Sequence, residues 1–201
     1  MVIIAPPYGG KDTQADMLEA LDYKKISTSE LANRNSNPAE QALMSVGNYF
    51  TDERACTLVG EELKVLHAVR NVAIVGFPRT ATQAYFAINE FKNHGRLPFF
   101  IFLDVPDVMC LDRYDSRGPR TDEHGHVRDD DKRAVLVARL SKYRKSLIEL
   151  NRVLYSECPE FCLPLSGTRK PDVIHKDILD AIDSRIHDHL SSGAKKVTCF
   201  A

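Results

Sequence analysis

The sequence predicts an α/β fold, a three-layer arrangement in which a parallel sheet carries helices on both faces. Three observations predict it. Short apolar runs (Val2-Ile3-Ile4, Val72-Ala73-Ile74-Val75, Pro98 to Leu103, Phe161 to Leu165) are separated by longer segments with helical apolar spacing. Strands that alternate with helices and lack a polar face belong to sheets buried on both sides. The first run passes directly into Pro6-Pro7-Tyr8-Gly9-Gly10 and then into a helix-patterned segment. Finally, 201 residues with 43% hydrophobic content suit one α/β domain with a small insertion.

From Gly10 to Leu21, the spacing of Ala15, Met17, Leu18 and Leu21 predicts a helix. Lys24-Lys25-Ile26 reads as a weak, short strand. Ser27-Thr28-Ser29-Glu30 then reads as a capping box, and Asn37-Pro38-Ala39-Glu40 repeats that logic with proline at the first helical position. Thr51 caps a helix to about Val69 that buries Cys56, Leu58, Val59, Leu63 and Leu66. After the Val72–Val75 strand, Thr80 opens a helix to about Asn93, ended by Gly95. Pro98 to Leu103 is the strongest strand. Helices are expected from Asp107 to Ser116 and from Lys132 to Ser156, with a polar, exposed loop or hairpin from Gly118 to Asp131 between them. The strand Phe161–Leu165 leads through Gly167-Thr168 to a last helix, about Asp172 to Leu190, and the tail from Ser191 reads as frayed.

A net charge of −1 gives no basis for binding nucleic acid or an anionic membrane, and no apolar run approaches membrane-spanning length. The first strand is expected to begin at Val2, which would leave no room for a signal peptide. The five cysteines (Cys56, Cys110, Cys158, Cys162, Cys199) are odd in number and contain no CxxC pair, so a reduced, cytoplasmic chain without structural zinc is expected. Cys158 and Cys162 could chelate or bridge; two ordinary thiols is the plainer reading.

Strand, backbone-rich turn, lysine and helix start, in that order, make a phosphate-binding loop. The amide N–H groups of the turn and the positive end of the helix dipole suit a polyphosphate, and Lys11 adds a mobile cation. Gly9-Gly10-Lys11 alone also fits an ordinary glycine-rich turn. In a parallel sheet, ligands sit at the carboxyl ends of the strands, which gathers Ala5–Thr13, Gly76–Arg79, Asp104 and Gly167 on one rim. Arg113 and Arg117 lie one turn apart, and Arg128 and Arg139 follow across the polar loop. A solvated basic face is the bland account of such arginines. Phosphoryl transfer, by contrast, needs several cations around a spread negative charge, and a cover that excludes water.

On these residues the chain resembles the adenylate kinase (nucleoside monophosphate kinase) family over nearly its whole length. Ala5-Pro6-Pro7-Tyr8-Gly9-Gly10-Lys11-Asp12-Thr13-Gln14 is similar to the family's Gly-x-Pro-Gly-x-Gly-Lys-Gly-Thr-Gln, and Ile26-Ser27-Thr28 to its Ile-Ser-Thr-Gly. Gly76-Phe77-Pro78-Arg79-Thr80-x-x-Gln83 matches its Asp-Gly-Phe-Pro-Arg-Thr-x-x-Gln without the leading Asp. Leu103-Asp104-Val105-Pro106 and Asp112-Arg113-x-x-x-Arg117 match the approach to the family's lid. Arg128-x-Asp130-Asp131, with Arg139, matches the exit from it.

The resemblance implies a P-loop nucleoside triphosphate hydrolase-like fold with a small acceptor-binding helical insertion and a short lid. That is a single domain of core 1–26, 51–116 and 129–190, acceptor-binding segment 27–50, lid 117–128 and tail 191–201. It implies transfer of the γ-phosphate of ATP to AMP, giving two ADP, with Mg as the cofactor, ATP and AMP as the partners, and a monomeric, cytoplasmic enzyme. Lys11 and the backbone of Tyr8, Gly9, Gly10, Asp12 and Thr13 would hold ATP phosphates. Arg113 would pack on the ATP base, Arg117 would approach its phosphates, and Gly167 and Arg169 would lie near base and ribose. Arg79, beside Gly76, Phe77 and Pro78, would grip the acceptor phosphate. Arg128 and Arg139 would span both phosphate groups. Thr28 and Gln83 would read the acceptor base, with Asn33, Asn48, Tyr49 and Phe50 around it. Gln83 also stands where it could complete a capping box after Thr80.

The departures all touch phosphate or metal. Ala5, Tyr8 and Asp12 stand where the family has glycine, Val75 where it has Asp, and Asn33 where it has an acceptor-site Arg; Arg34, one residue on, would point elsewhere on a helix. Asp12 follows the loop lysine, where other phosphate loops place a Mg²⁺-binding hydroxyl, so it could bind the metal or merely cap the helix. Asp122, His124 and His126 could also take a metal, although a solvated turn accounts for them. A nucleotide-binding protein with weak or lost catalysis, or a kinase for another nucleoside monophosphate, remain alternatives.

Overall fold

The computed structural model describes residues 1–35, 37–45, 50–69, 71–118 and 131–191. Five strands form one parallel sheet: β1 (Val2–Ile4), β2 (Tyr23–Ser27), β3 (Asn71–Val75), β4 (Phe100–Asp104) and β5 (Cys162–Ser166), in the spatial order β2-β3-β1-β4-β5. Between them run α1 (Lys11–Glu19), α2 (Thr28–Asn35), α3 (Pro38–Ser45), α4 (Asp52–Val65), α5 (Ala81–Asn93), α6 (Asp107–Arg117), α7 (Arg133–Glu157) and α8 (Pro171–Ser191). A short 3-10 turn at Pro159–Phe161 precedes β5. This is the predicted α/β class.

The register lines up the strand ends. Ile3 pairs with Val75 and Ile101, Ser27 with Val75, and Asp104 with Ser166. The chain leaves β1 toward β2, returns through β3, and then crosses to β4 on the other side, so the sheet changes direction beside β1. Such a switch point opens a crevice at the carboxyl ends of the strands.

The three inner strands read as unbroken apolar runs because both of their faces are covered. Val2, Ile3, Ile74, Phe100 and Ile101 are all buried. Phe91 from α5 meets Phe100 edge-on at 6.3 Å, and Phe99 meets Phe161 at 5.4 Å. The outer strands tolerate what a central strand cannot. Pro164 sits in edge strand β5, and Lys24 and Lys25 in edge strand β2, with Lys25 ion-paired to Asp16 at 2.7 Å. A second, smaller apolar cluster of Val105, Cys110, Tyr114, Leu136 and Leu140 joins α6 to α7, and Tyr8 packs against it.

The helix starts follow local chemistry. Asn37 and Glu40 form the reciprocal capping box, each backbone N–H donating to the other's side chain at 2.9 Å. Thr51 Oγ1 accepts from Arg54 N–H, and Thr80 Oγ1 from Gln83 N–H, both at 3.3 Å. The box expected at Ser27 is only half made. Ser27 Oγ accepts from Glu30 N–H at 3.4 Å, but the Glu30 carboxylate lies 3.5 Å from Lys25, a stronger partner for a charge. Strand β2 is longer than its two lysines suggested, since all five of its residues pair with β3. Helix α4 ends at Val65 rather than Val69, where Arg96 takes up the carbonyls of Leu66 and Val69 at 2.9 and 2.7 Å.

Cys56, Cys110, Cys158 and Cys162 are all buried, unbridged thiols. Cys158 and Cys162 each donate to a backbone carbonyl at 3.4 Å, so they are the two ordinary thiols of the plainer reading. Burial pushes the Cys56 and Cys110 thiols up to about 11. Among the described residues no helix is long and apolar enough to cross a membrane.

Candidate functional site

The turn Pro6–Gly10 joins β1 to α1 at the switch point. Gly9 N–H donates to Pro6 O at 2.8 Å, and a Cβ on Gly9 would lie 2.8 Å from that same oxygen, so only glycine fits. Gly10, at φ 93°, turns the chain into α1. Tyr8 also has a positive φ, 62°, which an L side chain adopts only under strain. Lys11 opens α1, and its Nζ lies 2.7 Å from Asp12 Oδ2.

Arg113 and Arg117 project from one face of α6. The Arg113 guanidinium donates to Tyr8 O at 3.2 Å and to Gly167 O at 2.7 Å, tying the phosphate loop to the β5–α8 turn. Gly167 N–H in turn donates to Asp104 O at 2.8 Å, and a Cβ on Gly167 would come within 2.4 Å of Val105 Cγ2. Arg117 Nη2 donates to Asp131 Oδ2 at 3.0 Å and to the Tyr8 hydroxyl, and its guanidinium lies 4.3 Å from the Tyr8 ring centroid. Arg169 is ion-paired with Asp177.

On the other side of the loop, Gly76 ends β3 at φ 79°, followed by a cis peptide between Phe77 and Pro78. Phe77 is buried against Phe86 and anchors the segment from below. Arg79 Nε donates to Gly76 O at 2.7 Å, and Thr28 Oγ1 to the same carbonyl at 3.0 Å. Gln83 is 3% exposed, and both ends of its amide are engaged. Oε1 accepts from Arg79 N–H and Nε2 donates to Asp52 Oδ1, each at 2.8 Å. Its side chain thus braces Arg79, while its N–H completes the Thr80 cap. Arg34 lies 3.9 Å from Glu62 of α4, on a different face of α2 from Asn33.

One cleft of about 690 Å³ brings most of these groups together. It is lined by Tyr8 to Thr13, Asn33, Gly76 to Arg79, Arg113, Arg117, Arg139 and Arg169. Among its lining residues, six are cations (Lys11, Arg79, Arg113, Arg117, Arg139, Arg169) and three are acids (Asp12, Glu30, Asp131). Such an excess of positive charge focuses a field that attracts a polyanion. Thr28, Phe50, Gln83 and Gly167 are not among its lining residues. Asn48, Tyr49 and Arg128 lie outside the described residues, as do Asp122, His124, His126 and most of the expected lid. Sequence reasoning missed Asp131, which is 7% exposed and holds Tyr8 and Arg117. The signal was its place at the end of Arg128-x-Asp130-Asp131.

No family model matches the chain. Several curated proteins do. The adenylate kinase of Deinococcus deserti is 30% identical over 154 residues, covering 72% of this chain and 78% of that protein. That of Thermosynechococcus vestitus is 26% identical over 194 residues, covering 92% and 96%. That of Novosphingobium aromaticivorans is 32% identical over 126 residues, and there the aligned part is 58% of each chain.

Gly76 gives a direct check on the geometry around Arg79. A Cβ there would lie 2.4 Å from Thr28 Oγ1 and 3.1 Å from Arg79 Nη2, at a φ that disfavours it. Gly76→Ala is expected to cost roughly 1–3 kcal/mol in chemical denaturation, whereas Gly95→Ala, also at a positive φ but with open space around it, should cost less.

Proposed function

The chain belongs to the adenylate kinase family and is a nucleoside monophosphate kinase, and from that premise we propose that it transfers the γ-phosphate of ATP to AMP, forming two ADP, with Mg²⁺. The observation that carries this reading is the convergence of Lys11, Arg79, Arg113, Arg117, Arg139 and Arg169 on one cleft at the switch point of the sheet.

In this reading Lys11 and the loop amides hold the ATP phosphates, Arg113 and Arg169 flank the base and ribose, and Arg117 touches the donor phosphates. Arg79 grips the phosphate of AMP, with Thr28, Asn33, Asn48, Tyr49, Phe50 and Gln83 on the side of its base. Arg128 and Arg139 span the two. An ionised AMP phosphate oxygen attacks the γ-phosphorus in line; a P–O bond forms there as the bond to the β-phosphate oxygen breaks. The attacking oxygen carries no proton to remove, so the protein needs no strong base. Its work is positioning and electrostatic stabilisation.

The donor set also fits Mg²⁺. That ion favours oxygen ligands, keeps several waters, and needs only one or two carboxylates beside the substrate phosphates. Asp12 supplies a carboxylate next to the loop lysine. When bound, Mg²⁺ neutralises the charge developing across the β- and γ-phosphate oxygens.

Two tests follow from this reading. The purified chain with Mg-ATP and a panel of nucleoside monophosphates should form ADP fastest with AMP. Arg79→Ala should lose roughly 3–5 kcal/mol of transition-state stabilisation in kcat/KM. Turnover within a few-fold of the parent would remove Arg79 from the acceptor site.

A second reading, weakened catalysis, is favoured by one observation: Asp12 holds Lys11 at 2.7 Å, a carboxylate where triphosphate belongs. If Asp12 serves the metal, Asp12→Gly should weaken both the Mg²⁺ dependence and the activity, and adding Val75→Asp should restore them. If Asp12 marks decay, Asp12→Gly alone should raise turnover with Val75 in place.

A further inference from the structure

Tyr8 occupies a position where its own backbone argues for glycine. At φ 62° it adopts a conformation that a Cβ disfavours, in a loop whose next two residues are glycines. The side chain makes contacts that offset this. Its ring meets the Tyr114 ring edge-on at 5.3 Å and packs against the small cluster between α6 and α7. Its face lies under the Arg117 guanidinium at 4.3 Å. Its hydroxyl donates to Asp131 Oδ1 at 2.6 Å and accepts from Arg117 Nη2.

Asp131 completes the arrangement. One buried carboxylate takes the tyrosine on Oδ1 and the arginine, at 3.0 Å, on Oδ2. Its backbone carbonyl accepts from Tyr114 Oη at 2.9 Å, which fixes where that carboxylate stands. The phosphate loop, the last turn of α6 and the approach to α7 are therefore joined through Tyr8. Arg117 would otherwise be a long, exposed side chain one residue from Gly118, ordered only when nucleotide arrives, and ordering rotamers at that moment weakens binding. Tyr8 and Asp131 both engage its Nη2, and its Nε donates to Gly118 O at 3.4 Å; Nη1 takes part in none of these contacts.

We propose that the Tyr8 side chain is a positioning residue that holds Arg117 against the phosphate loop in advance of the nucleotide, so that donor affinity depends on Tyr8 through Arg117. This rests on the reading of Arg117 as a contact to the donor phosphates. The proposal separates two consequences that strain alone would merge. If Tyr8 were only a tolerated replacement for glycine, restoring glycine would relax the loop and improve or preserve binding. If it positions Arg117, restoring glycine weakens binding although it relieves the backbone.

The test is calorimetric titration of the full chain with Mg-ATP and, separately, with AMP, using folded variants checked by thermal unfolding. Tyr8→Phe keeps the ring but removes the hydroxyl, and should weaken Mg-ATP binding about tenfold, the scale of one charge-assisted hydrogen bond. AMP affinity should stay within about twofold, a factor small on that same scale. Tyr8→Gly should weaken Mg-ATP binding further. In an Arg117→Gln background, with Arg117→Lys as a second, Tyr8→Phe should cost less than about twofold with the glutamine and an intermediate amount with the lysine.

The proposal is overturned by an equal Tyr8→Phe penalty with and without Arg117, by a Tyr8→Phe chain that binds Mg-ATP like the parent, or by an equal loss for AMP. It is also overturned if Tyr8→Gly binds as tightly as the parent, or if the parent binds no Mg-ATP. A chain that passes this cycle but forms no ADP from any monophosphate sinks the proposed reaction and still supports the role of Tyr8.

Discussion

Because β1 is hydrogen-bonded to β3 on one side and to β4 on the other, the turn that leaves its carboxyl end opens at the middle of the sheet, where the connections diverge. Three residues, Val2–Ile4, set this. The segments beside it are placed relative to them: Gly76–Arg79 by the neighbouring end of β3, and Asp104, Val105 and the start of α6 by that of β4. Gly167 is drawn close to β4 by a backbone bond to Asp104 O that leaves no room for a side chain. The apolar core does not select the chemistry, but it fixes the separations over which cations on different strands can act on one ligand.

Collecting six cationic side chains around one cleft costs electrostatic repulsion, and the structure offsets it locally. Lys11 leans on Asp12, Arg117 on Asp131, and Arg169 on Asp177. Arg113 and Arg79 are held by backbone carbonyls instead. The two kinds of restraint differ in consequence. A carbonyl orients a guanidinium without cancelling its charge, whereas a carboxylate does both. The carbonyl contacts of Arg113 leave its charge uncancelled, whereas Lys11 shares its charge with Asp12. Asn33 lines the cleft, while Arg34 is turned toward Glu62.

Much of this was legible in the sequence, for physical reasons that differ by residue. The inner strands declared themselves because burial on both faces forbids polar interruption. Gly76-Phe77-Pro78-Arg79 was readable only through its likeness to a family motif; the structure shows the local duties behind it, a left-handed turn at Gly76 and a core anchor at Phe77. Arg113 and Arg117 could be paired because four residues make one helical turn. The junction of Tyr8 with Asp131 was not readable. The two lie 123 residues apart, and the hydroxyl that joins them leaves no periodic trace; Tyr8 in the sequence looked only like a lost glycine. Ser27 and Glu30 misled in the opposite way. Their spacing is that of a capping box, but an edge-strand lysine outcompeted a backbone N–H for the carboxylate.

The claim that one arginine-lined cleft holds donor and acceptor phosphates together is tested most directly by calorimetry with diadenosine pentaphosphate, which links two adenosines through five phosphates. If both sites face one cleft, a single molecule should bind per chain, about 100-fold or more tighter than ATP or AMP alone, because the second half binds at a high effective concentration. Either nucleotide should displace it. Binding of two molecules per chain, or of one no tighter than ATP, would contradict a shared cleft.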